Sequence, residues 1–300
     1  MRGALRGGSL SEPLTSRGRR VKLSAMSFSF AKMQGAGNDF IVVRGEDQDW
    51  AALAPRICAR QFGIGSDGIL VALPSERADV RMRMYNPDGT EDDCGNGIRC
   101  LALFAAAEGM VSGSEFRIET LSGIKEIRLE RQGAVAAAVS VGMGVPSLAP
   151  SAIPALVGGE HALGFPLPVD GETLDAYSVY TGTAHTVLFE EVDEGRFQRL
   201  SPLLEHHETF PERTSVLWSH PLGPDRFGVR IWERGVGETL ACGTGACAVA
   251  TVAQLTGRAG RRVEVVSRGG TLVIDAAEDG SLRMTGPAAF VYRGAWEDRK

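Results

Sequence analysis

Lysine is scarce in this chain: Lys22, Lys32, Lys125 and Lys300 are the only ones in 300 residues. Lys22 and Lys300 sit in terminal segments. Lys32 and Lys125 fall on strand-like stretches with no phosphate-binding glycine loop nearby. Pyridoxal phosphate chemistry, which runs through a Schiff-base lysine, therefore has no candidate residue. Walker sequences are missing, as is a Gly-x-Gly-x-x-Gly at a strand–helix junction, so nucleotide use has no support. No apolar run approaches the roughly 20 residues that span a bilayer. A net charge of −5 offers no basic surface to nucleic acid or an anionic membrane. Metal spacing is also lacking, because Cys94/Cys100 and Cys242/Cys247 do not have the layout of a structural zinc site. The cysteines are odd in number and no secretory signal precedes them, which points to reduced thiols in a cytoplasmic protein.

The first 25 residues carry Arg2, Arg6, Arg17, Arg19, Arg20 and Lys22 against one acid, Glu12. That composition fits a disordered tail or an over-extended start better than a transit peptide. Periodic sequence begins after Met26. Strands are expected at Phe28–Met33, Phe40–Val43, Ile69–Leu73 and Val80–Tyr85, and helical spacing runs from Trp50 to Phe62. A very apolar helix follows from about Gly95 to Glu108, stopped by Gly109. Strands at Phe116–Thr120, Lys125–Glu130 and Ala134–Val141 complete this half. The Pro/Gly/Ala stretch from Gly142 to Gly164 is the linker candidate.

The order then repeats. Strands are expected at Leu174–Tyr180 and His185–Glu190, a helix around Leu200–His207, and strands near Val216–Trp218 and Arg226–Trp232. A second apolar helix spans about Gly243 to Leu255. Strands at Arg262–Val266, Thr271–Asp275, Leu282–Thr285 and Phe290–Tyr292 close the chain. A helix apolar on every side must be surrounded by protein. The expected fold is α+β, with two pseudo-symmetric domains at 26–145 and 146–300. Each is a mainly antiparallel sheet wrapped around one central helix, with the active site in the cleft between them.

Both central helices open on the same pattern, Cys94-Gly95-Asn96-Gly97 and Cys242-Gly243-Thr244-Gly245, about half a chain length apart. A turn-rich, acid-containing loop precedes each. A helix N-terminus presents unpaired N–H groups and partial positive charge, so thiolate is expected to be favoured at Cys94 and Cys242. Gly95, Gly97, Gly243 and Gly245 are expected to let a ligand approach the backbone, with a carboxylate held on the N–H groups of both helix starts. Those donors would also stabilise charge developing on that carboxylate when the adjacent carbon is deprotonated. Two opposed thiols then make a two-base machine, one taking a proton and the other returning it from the opposite face. Cys58, Cys100 and Cys247 read as ordinary core thiols. His185, after Gly182-Thr183-Ala184, is the histidine able to approach a cleft and tune a thiol. Glu233 and Arg234 are either an ion pair or a grip on the far end of a substrate.

Three stretches carry a family resemblance. They are Gln34-Gly35-Ala36-Gly37-Asn38-Asp39-Phe40, the run from Asn86-Pro87-Asp88-Gly89 to Cys100, and the run from Glu233 to Cys247. From about Phe28 onward the chain resembles the diaminopimelate epimerases. The resemblance implies a cofactor-independent enzyme that interconverts L,L- and meso-diaminopimelate, cytoplasmic and usually homodimeric, with no nucleic-acid or membrane partner. It implies that Cys94 and Cys242 are the acid/base pair, and that Gly95, Asn96, Gly243 and Thr244 hold the reacting carboxylate. It further implies that Asn38, Asn86, Glu233 and Arg234 contact substrate, and that His185 and Glu233 modulate the thiols.

Three places in the chain depart from the family pattern. Thr183-Ala184 replaces a usual Asn-Pro, Ser215 a usual Asn, and Gly68 a frequent Gln. The resemblance places those Asn positions on the distal end of the substrate. The alternative reading is therefore a racemase of the same fold acting on another amino acid. An isomerase of the phenazine-biosynthesis type is disfavoured because both cysteines are kept. A non-catalytic carboxylate-binding module is the remaining class, and the cysteines' serine variants separate it from the enzymes.

Overall fold

The computed structural model describes residues 27–45, 48–92, 94–131 and 136–297; the expectation for residues 1–25 and the start of the strand expected at Ala134 lie outside them. The first half contains β1 (Ser27–Gly35), β2 (Asn38–Arg44), α1 (Trp50–Ile57), β3 (Gly68–Leu73), β4 (Val80–Tyr85) and β5 (Glu91–Asp92). It continues with α2 (Gly95–Ala107), β6 (Glu115–Thr120), β7 (Gly123–Arg131) and β8 (Ala136–Gly144). The second holds β9 (Leu163–Val169), β10 (Glu172–Tyr180), β11 (Ala184–Phe189), α3 (Glu194–Glu205), β12 (Ser215–Gly223) and β13 (Arg226–Glu233). After these come β14 (Gly237–Thr239), α4 (Gly243–Leu255), β15 (Arg262–Ser267), β16 (Gly270–Ala276) and β17 (Leu282–Glu297).

The halves share one topology. β2 and β3 pair in parallel across α1, and β11 and β12 pair in parallel across α3. β4 and β6 pair in parallel across α2, as β13 and β15 do across α4. Antiparallel ladders supply the rest. The first circuit runs β1–β2–β3–β4–β6–β7–β8 and closes through β17, which pairs with both β8 and β1. In the second, Ser147 just beyond β8 bridges back to Tyr180 at the end of β10. Each circuit encloses one central helix, as the all-round apolarity of α2 and α4 requires.

Those helices are held by burial more than by propensity. Leu101, Ala102 and Ala105 on α2, and Ala248, Val249, Ala250, Val252 and Ala253 on α4, are 0% exposed. Each large aliphatic side chain so buried contributes about 1.5–3 kcal/mol. Alanine dominates α4 because strands approach it from every side. Both helices end alike: Glu108 and Thr256 are C-caps followed by left-handed Gly109 (φ 65°) and Gly257 (φ 69°). One core runs through both halves, with satellite clusters under α1 and α3.

Four sequence expectations change. α1 ends at Ile57, not Phe62, which is 92% exposed. The Ile64 and Gly65 N–H groups both donate to Ile57 O, folding the chain back under the helix end. α3 begins at Glu194, capped by the Asp193 carboxylate accepting from Arg196 N at 2.9 Å; its polar first turn hides the apolar period. The stretch from 142 to 164 is more than a linker, since β8 runs to Gly144 and Ile153, Ala155 and Ala162 are buried in the α3 cluster. It leads into β9, whose Pro166 and Pro168 are tolerated because, among the described residues, β9 pairs on one side only, with β10. The two short terminal strands are one, β17.

Candidate active site

α2 and α4 meet at their N-termini. A Cβ built on Gly95 would lie 3.8 Å from Gly243 Cα, and one built on Gly243 would lie 3.7 Å from Gly95 Cα and 3.0 Å from Met284 Sδ. Between the two helix starts those distances are ordinary van der Waals contact; the tight approach is of Gly243 to the Met284 thioether. Cys94 and Cys242 are the N-caps, in matching extended conformations (φ −139°, ψ 115° and φ −131°, ψ 117°). Each sulfur accepts a hydrogen bond from the third residue of its own helix, Gly97 N or Gly245 N, both at 3.3 Å. Gly97 and Gly245 also have a packing reason. A Cβ there would strike Leu70 (2.9 Å) or Leu217 (3.1 Å) and the capping cysteine itself.

The remaining first-turn N–H groups, of Gly95, Asn96, Gly243 and Thr244, have no partner within their helices. Gly95 and Gly243 bring the two helix starts together, and a helix N-terminus is the kind of place where an anion can bind. Asn96 is buried and ties the halves together: its Nδ2 donates to Asn38 Oδ1 (2.5 Å) and to Ala241 O (3.2 Å). Asn38 in turn donates to Asp67 Oδ2 at 3.1 Å. Asp67 and Asp39 are both held by Arg60, and Lys32 donates to Asp39 and to Gly65 O.

On the other side, Thr244 Oγ1 lies 3.4 Å from Cys242 Sγ and 3.0 Å from His185 Nε2. His185 therefore reaches the thiol through Thr244, not directly. It is 0% exposed, and its Nδ1 has no partner among the described residues. Burial, with a smaller push from Arg234, lowers its pKa to about 3, so the imidazole is neutral. Glu233 accepts from Thr239 Oγ1 at 2.5 Å, and burial raises its pKa.

The thiols are the main electrostatic surprise. Burial pushes Cys94 up to about 11 despite the helix-start N–H groups of Gly97 and Asn96, and the Glu233 charge adds to the rise. Cys242 is likewise raised well above the ordinary thiol range by burial and then by Glu233, against the lowering effect of Thr244 and Gly245. The expected thiolate bias of the helix starts is present but outweighed by burial and Glu233. Cys100 and Cys247, deep in the core, are pushed up to about 12.

The match to known proteins fits this geometry. The family model described as diaminopimelate epimerase matches residues 30–149 and 177–291. This chain belongs to the diaminopimelate epimerase family. The diaminopimelate epimerase of Moorella thermoacetica is 45% identical over 272 residues, covering 88% of this chain and 98% of that protein. That of Synechocystis sp. is 43% identical over 282 residues, covering 91% of this chain and 100% of that protein. A hydroxyproline epimerase from Agrobacterium vitis shares the fold, with a TM-score of 0.66 at 16% identity over 91% of this chain and 93% of that one. So does a Bacillus anthracis protein of the PhzF phenazine-biosynthesis family, with a TM-score of 0.64 at 16% identity over 90% and 99%. These neighbours share the fold, two pseudo-symmetric α+β halves.

Two of the three departures from the diaminopimelate epimerase pattern gather around Arg234. Its backbone N–H donates to Ser215 Oγ (3.1 Å), and its guanidinium donates to Thr183 Oγ1 (3.3 Å) and Glu212 O (3.2 Å). Arg234 is thus not the ion-pair partner of Glu233. Gly68 is a packing matter, since a Cβ there would come 2.8 Å from Tyr85 O. Asn86 stays within its own loop, donating to Thr90 Oγ1 at 3.1 Å. A groove of about 720 Å³ beside β1 and β17 contains none of the site residues. Thr239 and Arg99 were not singled out from sequence. Both sit inside the quoted motifs, Thr239 in the run from Glu233 to Cys247 and Arg99 as an arginine on an apolar helix.

Proposed function

We infer that the protein interconverts L,L- and meso-diaminopimelate by removing and returning the Cα proton with Cys94 and Cys242. The observation that carries this reading is the pair of cysteine N-caps on helix starts that touch through Gly95 and Gly243. The substrate carboxylate sits on the first-turn N–H groups. One thiolate takes the Cα proton from one face as negative charge spreads onto the carboxylate oxygens, where those donors stabilise it. The opposite thiol gives a proton to the other face, and the two sulfurs exchange roles for the reverse reaction.

The raised thiols set the order of events. Glu233 adds to the rise of both cysteines. A substrate α-ammonium that pairs with Glu233 offsets that part of the rise, burial being the larger part, and so favours the thiolate when substrate binds. Thr183 and Ser215, by holding Arg234 from two directions, supply the distal grip. The chain divides into halves at 26–145 and 146–300, with β17 reaching back, and works as a cytoplasmic homodimer; sedimentation would test the latter.

The test is Cα proton exchange in D2O, followed by NMR without added cofactor, on L,L- and meso-diaminopimelate beside ornithine, lysine and proline. Exchange confined to diaminopimelate is expected. Exchange on another amino acid with diaminopimelate inert would transfer the chemistry to a different racemase and overturn the assignment.

A further inference from the structure

A charge that the two-thiol chemistry leaves unused lies behind the helix starts. Arg99, in the second turn of α2, is 0% exposed. Its Nη1 donates to Gly95 O (3.1 Å), its Nη2 to Asn96 Oδ1 (2.8 Å) and its Nε to Pro287 O (3.2 Å), with Met284 Sδ 3.9 Å from Nη1. Among the described residues no Asp or Glu pairs with it, and the groups whose charge reaches it are Cys100, Cys94 and Cys247. β17 makes room for it: a Cβ on Gly286 would come 3.1 Å from Arg99 Nε. A buried cation without a counter-charge destabilises a fold, and an apolar side chain of similar volume would serve packing better. Two of its hydrogen bonds end on Gly95 and Asn96, the residues that form the anion site. Through Asn96 it also fixes the contacts to Asn38 and Ala241.

We propose that Arg99 is a positioning residue for the reaction centre: it locks the Asn96 amide and supplies a permanent positive charge favouring thiolate at Cys94 and negative charge on the substrate carboxylate. Cys94 is faced by Glu233 from β13 and by Arg99 and the Asn96 and Gly97 N–H groups of its own helix. Arg99 is the only full positive charge in that set. The inference rests on the two-thiol reading, so its test includes a measurement that needs no turnover.

That measurement is the pH dependence of Cys94 alkylation by iodoacetamide, resolved by peptide mass spectrometry, in wild type, R99M and R99K. R99M is expected to slow alkylation at a fixed pH by roughly tenfold, equivalent to one unit, and R99K to leave it near wild type. In both variants kcat should fall with KM little changed, because Arg99 does not touch substrate. A folded R99M with the wild-type alkylation profile would overturn the proposal. If R99M does not fold, R99K decides: wild-type alkylation with reduced kcat supports the proposal, and slowed alkylation or an unchanged kcat overturns it. Absence of exchange on diaminopimelate by wild type would instead strike the two-thiol reading, with the alkylation result standing apart.

Discussion

Replacing Thr244 with valine removes one oxygen that serves two partners. Thr244 Oγ1 is the hydrogen-bond partner of His185 Nε2 at 3.0 Å and of Cys242 Sγ at 3.4 Å. The substituted methyl is close in size, so packing should survive. His185 is wholly buried and its Nδ1 already lacks a partner among the described residues. T244V therefore leaves both imidazole nitrogens unpaired, at a cost of about 1–3 kcal/mol. At roughly 2–4 °C for each kcal/mol, that is a measurable fall in Tm. The thiol responds too. Thr244 lowers the Cys242 pKa, so T244V raises it, and Cys242 alkylation should move to higher pH while Cys94 alkylation stays put. Because the overall equilibrium is fixed by the substrates, kcat/KM should fall by one common factor in both directions. T244S keeps the oxygen and should restore all three readouts. A T244V enzyme with wild-type Tm and an unmoved Cys242 profile would refute the Cys242–Thr244–His185 chain.

Other consequences follow from the same geometry. Glu233→Gln removes a charge that raises both thiols, so free-enzyme alkylation of Cys94 and Cys242 should quicken at a given pH even as turnover drops; slower alkylation would contradict the assigned sign. Gly97→Ala places a methyl 2.9 Å from Leu70 and 3.3 Å from Cys94, which should cost about 1–3 kcal/mol by overpacking, whereas Gly158→Ala, with open space around it, should not alter urea unfolding. His185 has a folded pKa of about 3, far below the ~6.5 of an unfolded histidine. The unfolded state therefore takes up a proton first as pH falls, and stability declines between those values by at most about 1.4 kcal/mol per pH unit. His185→Gln should remove that one-proton slope from the pH dependence of urea unfolding, and an unchanged slope would show that the buried imidazole is not its source.

Much of this was legible in the residues. The repeated Cys-Gly-x-Gly placed both N-caps correctly because capping and close approach are local and need no knowledge of the fold. The apolarity of Gly95–Ala107 and Gly243–Leu255 likewise implied enclosure. What escaped depended on distant partners. Gly97 and Gly245 read as ligand-approach glycines, and the structure adds tight neighbours to them, Leu70 and Leu217 from other strands. The helix-start effect on the thiols was read with the right sign, but burial and Glu233, which arrives from another strand, outweigh it. The first turn of α3 was hidden because Glu194-Gly195-Arg196 has no apolar period. The Pro/Gly/Ala stretch after β8 looked like a linker because its buried residues, Ile153 and Ala155, find their partners only in the α3 cluster. Thr183 and Ser215 were visible as departures, but only the structure shows that both address Arg234.

The measurement closest to the central claim is solvent deuterium incorporation at Cα during interconversion of L,L- and meso-diaminopimelate by wild type, C94S and C242S, with folding verified. Wild type should place solvent deuterium in the inverted product, and each serine variant should lose inversion by about 10²–10⁴-fold, the usual range for removing a general acid or base. Inversion at the wild-type rate by either variant would contradict two opposed thiols as the acid and base.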